Sequence, residues 1–294
     1  MSNYSPLRYP GGKARLYNLI KDIIIQLKID DCTYIEPFAG GASIGLQLLI
    51  NGDVNRIVIN DKDKAIYSFW KAILEETDRF IQMIEVVPVT IVEWRKQKAI
   101  YLQSYKYSFE YGFATFFLNR TNRSGILSAG PIGGYGQEGT YKIDCRFNKE
   151  TLIQKIKNIS TVRNKIVLYN KDIQSFVNNY LPKYDYKAFA YFDPPYFNKG
   201  SLLYQNHFKS KDHVALSECI RSGVDCDWVI SYDSVDKIKE IYNDFTMKDF
   251  YINYSLSNKG KGKEVLIFKN KGCIPENYVF GQQEKPFIIT DNKK

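Results

Sequence analysis

The sequence predicts an α/β fold, a doubly wound and mostly parallel sheet, and three observations predict it. Four short β-branched or aromatic runs share one form: Thr33 to Glu36, Arg56 to Asp61, Lys165 to Asp172 and Ala188 to Asp193. The stretches between them are long enough to hold helices, which is the rhythm of βαβ units around a sheet buried on both faces. Each run also ends in an acid, and acids at the carboxyl ends of parallel strands line the crevice where open α/β sheets bind ligands.

Apolar periodicity marks helices at Ala14 to Lys28, Ser43 to Leu49, Lys64 to Glu75 and His213 to Arg221. Three later runs complete the sheet: Asp227 to Tyr232, then Phe250 to Tyr254 and Glu264 to Phe268 as an antiparallel pair around the basic loop Asn258 to Lys263. Between residues 76 and 160 the strand-helix rhythm disappears. That segment holds a helix through Phe109 to Leu118 and the glycine-rich stretch Ser128 to Gly136, which neither a helix nor a central strand tolerates. The expected organisation is one α/β domain from residues 1–75 and 161–275, a largely helical insert at 76–160, and a loosely attached tail at 276–294.

The chain of 294 residues, 44% hydrophobic and 25% charged, is long enough for a full core and reads as an ordinary globular protein. Its apolar runs are too short to span a bilayer, and Met1 to Pro6 carries no signal-peptide core, so the expected location is the cytoplasm. The five cysteines are scattered without a Cys-x-x-Cys pair, and His207 and His213 are the only histidines. Free thiols and no metal site are expected. Of the net charge of +9, nearly all is local: Trp94 to Arg163 carries twelve lysines and arginines against four acids. Such an imbalance mixed with aromatics favours a polyanionic partner, nucleic acid first.

The most informative string is Asp193-Pro-Pro-Tyr196. Two prolines fix φ and remove two donors, stopping a strand in a rigid turn that presents a carboxylate, a free carbonyl and an aromatic face together. A glycine-rich turn, Pro37 to Ser43, follows the first run, and Asp61 lies 21 positions beyond Gly40 at the end of the next. That spacing suits a nucleoside whose ribose hydroxyls meet the acid; a helix N-cap at Asp61 is the alternative. Pro10-Gly-Gly-Lys13 is shaped either to wrap a small ligand, with Lys13 meeting its carboxylate, or to make a plain turn.

In order, Arg8 to Lys13, Tyr34 to Ser43, Asn60-Asp61, Leu118-Asn-Arg120 and Asp193 to Tyr196 resemble the Dam-type, or D12 class, adenine-specific DNA methyltransferases over roughly residues 5 to 270. The resemblance implies a Rossmann-like methyltransferase domain, S-adenosyl-L-methionine as cofactor, and the 6-amino group of adenine in double-stranded DNA as acceptor. It implies cofactor contacts from Tyr9, Gly12 and Lys13, the last near the methionine carboxylate, with Phe38 and Gly40 in the turn beneath. Asp61 would bind the ribose and Asp172 the cofactor's adenine amino group. In the catalytic string, Asp193, which also borders the cofactor, and the Pro194 carbonyl would accept hydrogen bonds from the target amine. Pro195 would stiffen the turn and Tyr196 would stack on the base. Asn119, Arg120 and Arg123 would read DNA. The partners implied are DNA and a cognate restriction endonuclease, with the enzyme a monomer or weak dimer.

Two departures stand out. The turn reads Gly40-Gly41-Ala42 where many members have Gly-x-Gly, and Arg123 to Leu127 differs from the enzymes that read GATC. The target sequence is therefore not carried over. Rival readings are methylation of cytosine's 4-amino group, of RNA adenine or of a protein glutamine, a nicotinamide-dependent oxidoreductase, and a DNA-binding protein without catalysis.

Overall fold

A computed structural model describes residues 4–8, 13–184, 187–197, 208–253 and 261–275. Its centre is one seven-stranded sheet in the order β3-β2-β1-β4-β5-β7-β6. The strands are β1 (Thr33–Glu36), β2 (Arg56–Asn60), β3 (Ile166–Tyr169), β4 (Ala188–Phe192), β5 (Asp227–Asp233), β6 (Thr246–Asn253) and β7 (Lys261–Phe268). The first five are parallel, and β7 inserts antiparallel between β5 and β6. The chain winds outward through β2 and β3 on one side of β1 and through β4 and β5 on the other. The direction reverses between β1 and β4, the place where such sheets hold ligands.

Strand alternation sorts the core into two layers. Tyr34, Ile57, Ile59, Phe189 and Tyr191 face one side, while Ile35, Val58, Ala190, Phe192, Trp228 and Ile230 face the other. The first layer is covered by α1 (Tyr17–Gln26), α2 (Ser43–Ile50) and α3 (Lys64–Glu75). The second is covered by α8 (Ile173–Asn179), α9 (Ser210–Gly223) and α10 (Asp236–Ile241). Burial on both faces is why the strands read as continuous apolar runs. Asp63, whose carboxylate accepts from the Ala65 N–H at 2.8 Å, caps α3. Asp61, the alternative cap read from the sequence, does not.

Residues 76–160 fold as α4 (Thr77–Val86), α5 (Ile91–Gln103), α6 (Phe109–Thr121) and α7 (Lys149–Ser160). They share a continuous apolar cluster with the sheet, centred on an aromatic stack in which Phe69 of α3 lies parallel to Phe116 of α6 at 5.9 Å and Phe80 meets both Phe113 and Phe116 at 5.3 Å. The insertion is thus a boundary in sequence, while the core runs through both parts. Close approach of α3 and α6 depends on Gly112, where an added Cβ would lie 2.4 Å from the Ser68 carbonyl oxygen. Gly112→Ala gains about 1 kcal/mol of helix propensity but costs about 3 kcal/mol in overpacking against backbone. A melting temperature lower by about 4–8 °C is expected in thermal denaturation; a rise would show that the two helices part freely.

Several boundaries differ from the sequence reading. The first helix opens with a 3-10 turn at Ala14–Leu16, α9 begins at Ser210, and β6 begins at Thr246. Asp61, Asp172 and Asp193 lie just beyond their strands rather than in them, because the chain must leave the ladder before a side chain can turn across the sheet's rim.

Candidate active site

The carboxyl ends of β1, β2 and β4 meet at one rim, and hydrogen bonds fix the turns that leave it. Asn60 ties two of them: its amide donates to Pro37 O at 3.0 Å and Lys171 O at 3.1 Å and accepts from the Lys171 N–H at 2.9 Å. In the turn after β1, Gly40 has φ +46° and Ala42 has φ +45°. The left-handed conformation is free to glycine but costs alanine about 1–2 kcal/mol. The Gly40 carbonyl accepts from the Trp70 indole at 2.9 Å, and its N–H donates to Asp61 Oδ2 at 2.9 Å. Asp61 Oδ1 accepts from the Asp63 N–H at 2.9 Å. Burial, with the Asp63 charge beside it, pushes the Asp61 carboxyl up to about 7 against these two bonds. Burial also raises Glu36 at the end of β1 to about 8, although its carboxylate accepts from the Gly45 N–H at 2.9 Å.

Asp193 stands at the switch point. Its Oδ1 accepts from Ser231 Oγ at 2.9 Å, and that hydroxyl meets the Tyr191 hydroxyl at 2.7 Å. The Lys13 ammonium lies 3.4 Å from Asp193 Oδ1 and 3.5 Å from Glu264 Oε2. It also donates to the Tyr196 hydroxyl, which in turn donates to Glu264. Lys13 and Tyr196 are only 5% and 3% exposed. Burial raises the Asp193 carboxyl even though Lys13 pulls it down, with Glu264 adding to the rise. Desolvation works against the Lys13 ammonium, but the two carboxylates outweigh it and hold it above its ordinary value.

Asp193 borders two neighbouring spaces. A cleft of about 530 Å³ has an apolar wall including Phe38, Ile173, Pro195, Phe208 and Leu216 and an acidic one including Asp61, Asp172 and Asp212. A second, narrow space of about 30 Å³ lies between Lys13, Glu36, Phe38, Gly41 and Ser43. Phe38 lines both spaces and meets Phe208 edge-on at 5.9 Å. The larger space is of ligand size, and its excess of acids favours a cationic guest. Asp172 lines it while capping α8 through a 2.9 Å bond from the Ser175 N–H. Lys13, Phe38, Asp61, Asp172 and Asp193 therefore come together as read from the sequence, with Gly40 bonded to Asp61 beneath them. Tyr9 and Gly12 lie outside the described residues.

Glu264 and Ser231 complete this cluster from β7 and β5. In the sequence Ser231-Tyr-Asp233 reads equally as a plain strand end or as lining of a base pocket; in the structure Ser231 bonds Asp193. Glu264 left one signal, an acid opening an otherwise apolar run. His213, buried inside α9, meets the Tyr232 hydroxyl at 3.0 Å and packs against Phe197 and Phe208. Among the described residues there is no cluster of His, Cys, Asp and Glu able to hold a metal, and no helix long and apolar enough to cross a membrane.

The basic segment gathers beside this rim. Asn119 is 2% exposed, and its amide is taken up by main chain: Oδ1 accepts from the Arg8 N–H at 2.7 Å, and Nδ2 donates to Arg8 O at 2.7 Å and Gly125 O at 2.9 Å. Gly125, at φ +75°, lets Arg8 pass, since a Cβ there would lie 2.6 Å from Arg8 O. Asn119 thus clamps the segment that leads to Lys13 rather than facing outward. Arg120 donates to the Arg146 carbonyl at 2.7 Å; burial, then the Arg8 and Arg146 charges, lower it to about 10. Lys155 donates to Ser5 O at 3.0 Å. None of Arg8, Arg120, Arg146 and Lys155 pairs with a carboxylate among the described residues, so the cluster keeps its positive potential. Arg123 is exposed beside it.

The chain is 25% identical to the type II methyltransferase M.MjaIII of Methanocaldococcus jannaschii, covering 90% of this chain and 96% of that protein. It is also 25% identical to the type II methyltransferase M.CviBI of Paramecium bursaria Chlorella virus NC1A, covering 90% and 98%. Among solved structures, the rRNA methyltransferase aviRa from Streptomyces viridochromogenes aligns with a TM-score of 0.38 at 12% identity, over 88% of this chain and 86% of that one. Residues 9–255 match the D12 class of N6 adenine-specific DNA methyltransferases, and the chain belongs to that family.

Proposed function

We propose that the enzyme moves a methyl group from S-adenosyl-L-methionine to the 6-amino group of an adenine extruded from double-stranded DNA. The observation that carries this reading is the position of Asp193. It borders both the acid-lined cleft and the narrow space, at the start of a turn that two prolines make rigid.

The residues present fit the cofactor. The acidic excess of the cleft suits a cationic nucleoside, and the narrow space beside it is lined by a buried lysine that suits a carboxylate. Asp61 would hold the ribose hydroxyls, Asp172 the adenine amino group, and Lys13 the methionine carboxylate. The bound cofactor supplies an electrophilic methyl group on a positively charged sulfur. All else falls to the protein. The adenine amine is a poor nucleophile because its lone pair is delocalised into the ring. Asp193 and the Pro194 carbonyl would accept its two hydrogens, favour a pyramidal nitrogen and aim the lone pair along the transfer line. Asp193, its basicity raised by burial, would take the proton released as the C–N bond forms and the methyl–sulfur bond breaks, the electron pair staying on sulfur as a neutral thioether. Extruding the base costs roughly a few kcal/mol, and stacking on Tyr196 would return about 1–3 kcal/mol.

We assign DNA contact to the basic face of residues 76–160, with Arg120 and Arg123 toward the DNA and Asn119 acting through the Arg8 segment it clamps. The reading extends to an enzyme of the cytoplasm, a monomer or weak dimer, with a cognate endonuclease for the same site. Two binding measurements test it. Radiolabelled S-adenosyl-L-methionine should bind the free enzyme in equilibrium dialysis and NAD should not; the reverse would overturn the cofactor assignment. Arg120→Ala should weaken DNA binding about tenfold and reduce the slope of log K against log salt by about one, with cofactor affinity unchanged. Lost cofactor binding with intact DNA affinity would contradict the division of labour.

A further inference from the structure

Glu264 has no part in the mechanism above, yet it lies against two of its members, Lys13 and Tyr196. It enters from β7, is 1% exposed, accepts from the Tyr196 hydroxyl and faces the Lys13 ammonium at 3.5 Å. Lys13 is shared between Glu264 and Asp193, and its ammonium also sits 4.5 Å from the centre of the Tyr196 ring. The first position obstructs the reaction, because an ammonium on Asp193 competes with the target amine for the same oxygen. A second buried carboxylate gives that ammonium an alternative partner.

We propose that Glu264 is a positioning residue: it draws the Lys13 ammonium and the Tyr196 hydroxyl to its own side of the site and leaves Asp193 to accept the adenine amine. The inference rests on the reading of Asp193 as amine acceptor. Without the Glu264 charge, Asp193 is the one carboxylate among the described residues that meets Lys13 in the free enzyme, and it holds the ammonium until the cofactor's carboxylate competes for it. The groups facing Asp193 are Lys13 from the N-terminal segment, Tyr34 and Glu36 from β1, Tyr191 from β4, Ser231 and Tyr232 from β5, and Glu264 from β7. Of these, Lys13 lowers the Asp193 carboxyl and Glu264 raises it. Neutralising Glu264 therefore moves the acid limb of the kcat profile to lower pH.

Glu264→Gln keeps the shape and removes the charge. It is expected to lower kcat about 100-fold, as small misplacements of reacting groups do. KM for DNA and cofactor should stay within about threefold, and the acid limb of kcat should move down in pH. In a Lys13→Met background the same change should cost less than about threefold, because residues acting through one another are not additive. Equal losses in both backgrounds, or wild-type kcat in Glu264→Gln, would overturn the proposal. Lysine-selective NMR of the free protein follows the Lys13 ammonium directly; in Glu264→Gln its titration should shift to lower pH, and an unmoved titration would also overturn the proposal. Should Glu264→Gln fail to fold by circular dichroism, Glu264→Asp takes its place. It is expected to keep the acid limb of the wild type with a reduced kcat, and a shifted limb would count against the proposal. If the wild type places no methyl on adenine, the underlying reading fails, while the NMR titration still reports whether Glu264 holds Lys13.

Discussion

Asp193→Ala is expected to lower methyl transfer to DNA by about 10³-fold or more, the scale set by losing a proton acceptor together with a preorganised charge at the reacting atom. The fold should survive. Lys13 keeps Glu264 as a partner, and burial already disfavours the Asp193 charge, so its removal takes away a strained ion rather than a keystone. Asp193→Asn separates two parts of the role. It retains an oxygen for the Ser231 hydroxyl but holds neither negative charge nor basicity, so a loss close to that of alanine would assign most of the effect to charge. Incorporation of labelled methyl groups into DNA, with a thermal melt of each variant, checks both statements. Undiminished transfer by Asp193→Ala would remove the carboxylate from the mechanism.

Asp61→Ala carries the second large effect, on cofactor affinity. A carboxylate holding two ribose hydroxyls forms charge-assisted bonds of about 1.5–3 kcal/mol each, so their joint loss should weaken binding by about 100-fold or more. The same carboxylate supports the turn by accepting from Gly40, which adds to the loss. A pH dependence follows from its environment. The folded, cofactor-free enzyme holds the Asp61 proton up to about 7, and the deprotonated form is the better acceptor. Wild-type affinity should therefore rise between pH 6 and pH 8. In Asp61→Asn, calorimetric titration should show a weaker and flatter profile. An affinity untouched by Asp61→Ala would place the ribose elsewhere.

The α/β fold was legible because its signals are local. Strands buried on both faces read as unbroken apolar runs, and the acids that end them keep their spacing wherever the helices pack. Phe38, Asp61 and Asp193 converge because the sheet brings successive strand ends to one rim, and the N-terminal segment adds Lys13. The features that escaped depend on distant packing. The insertion of β7 between β5 and β6 delivers Glu264 to Lys13, and no local pattern announces that pairing. An asparagine beside an arginine at a helix end reads the same whether its amide faces solvent or main chain, and only burial assigns Asn119 to Arg8. The insert looked self-contained because its charge dominates its composition, whereas Phe69, Phe80 and Phe116 join it to the sheet's own core.

The account stands most directly on which atom of DNA receives the methyl group. DNA incubated with the enzyme and S-adenosyl-L-methionine, digested to nucleosides and separated by mass spectrometry, should contain N6-methyldeoxyadenosine with the wild type and none above background with Asp193→Ala. A methyl group on deoxycytidine, or equal N6-methyldeoxyadenosine with both proteins, would contradict it.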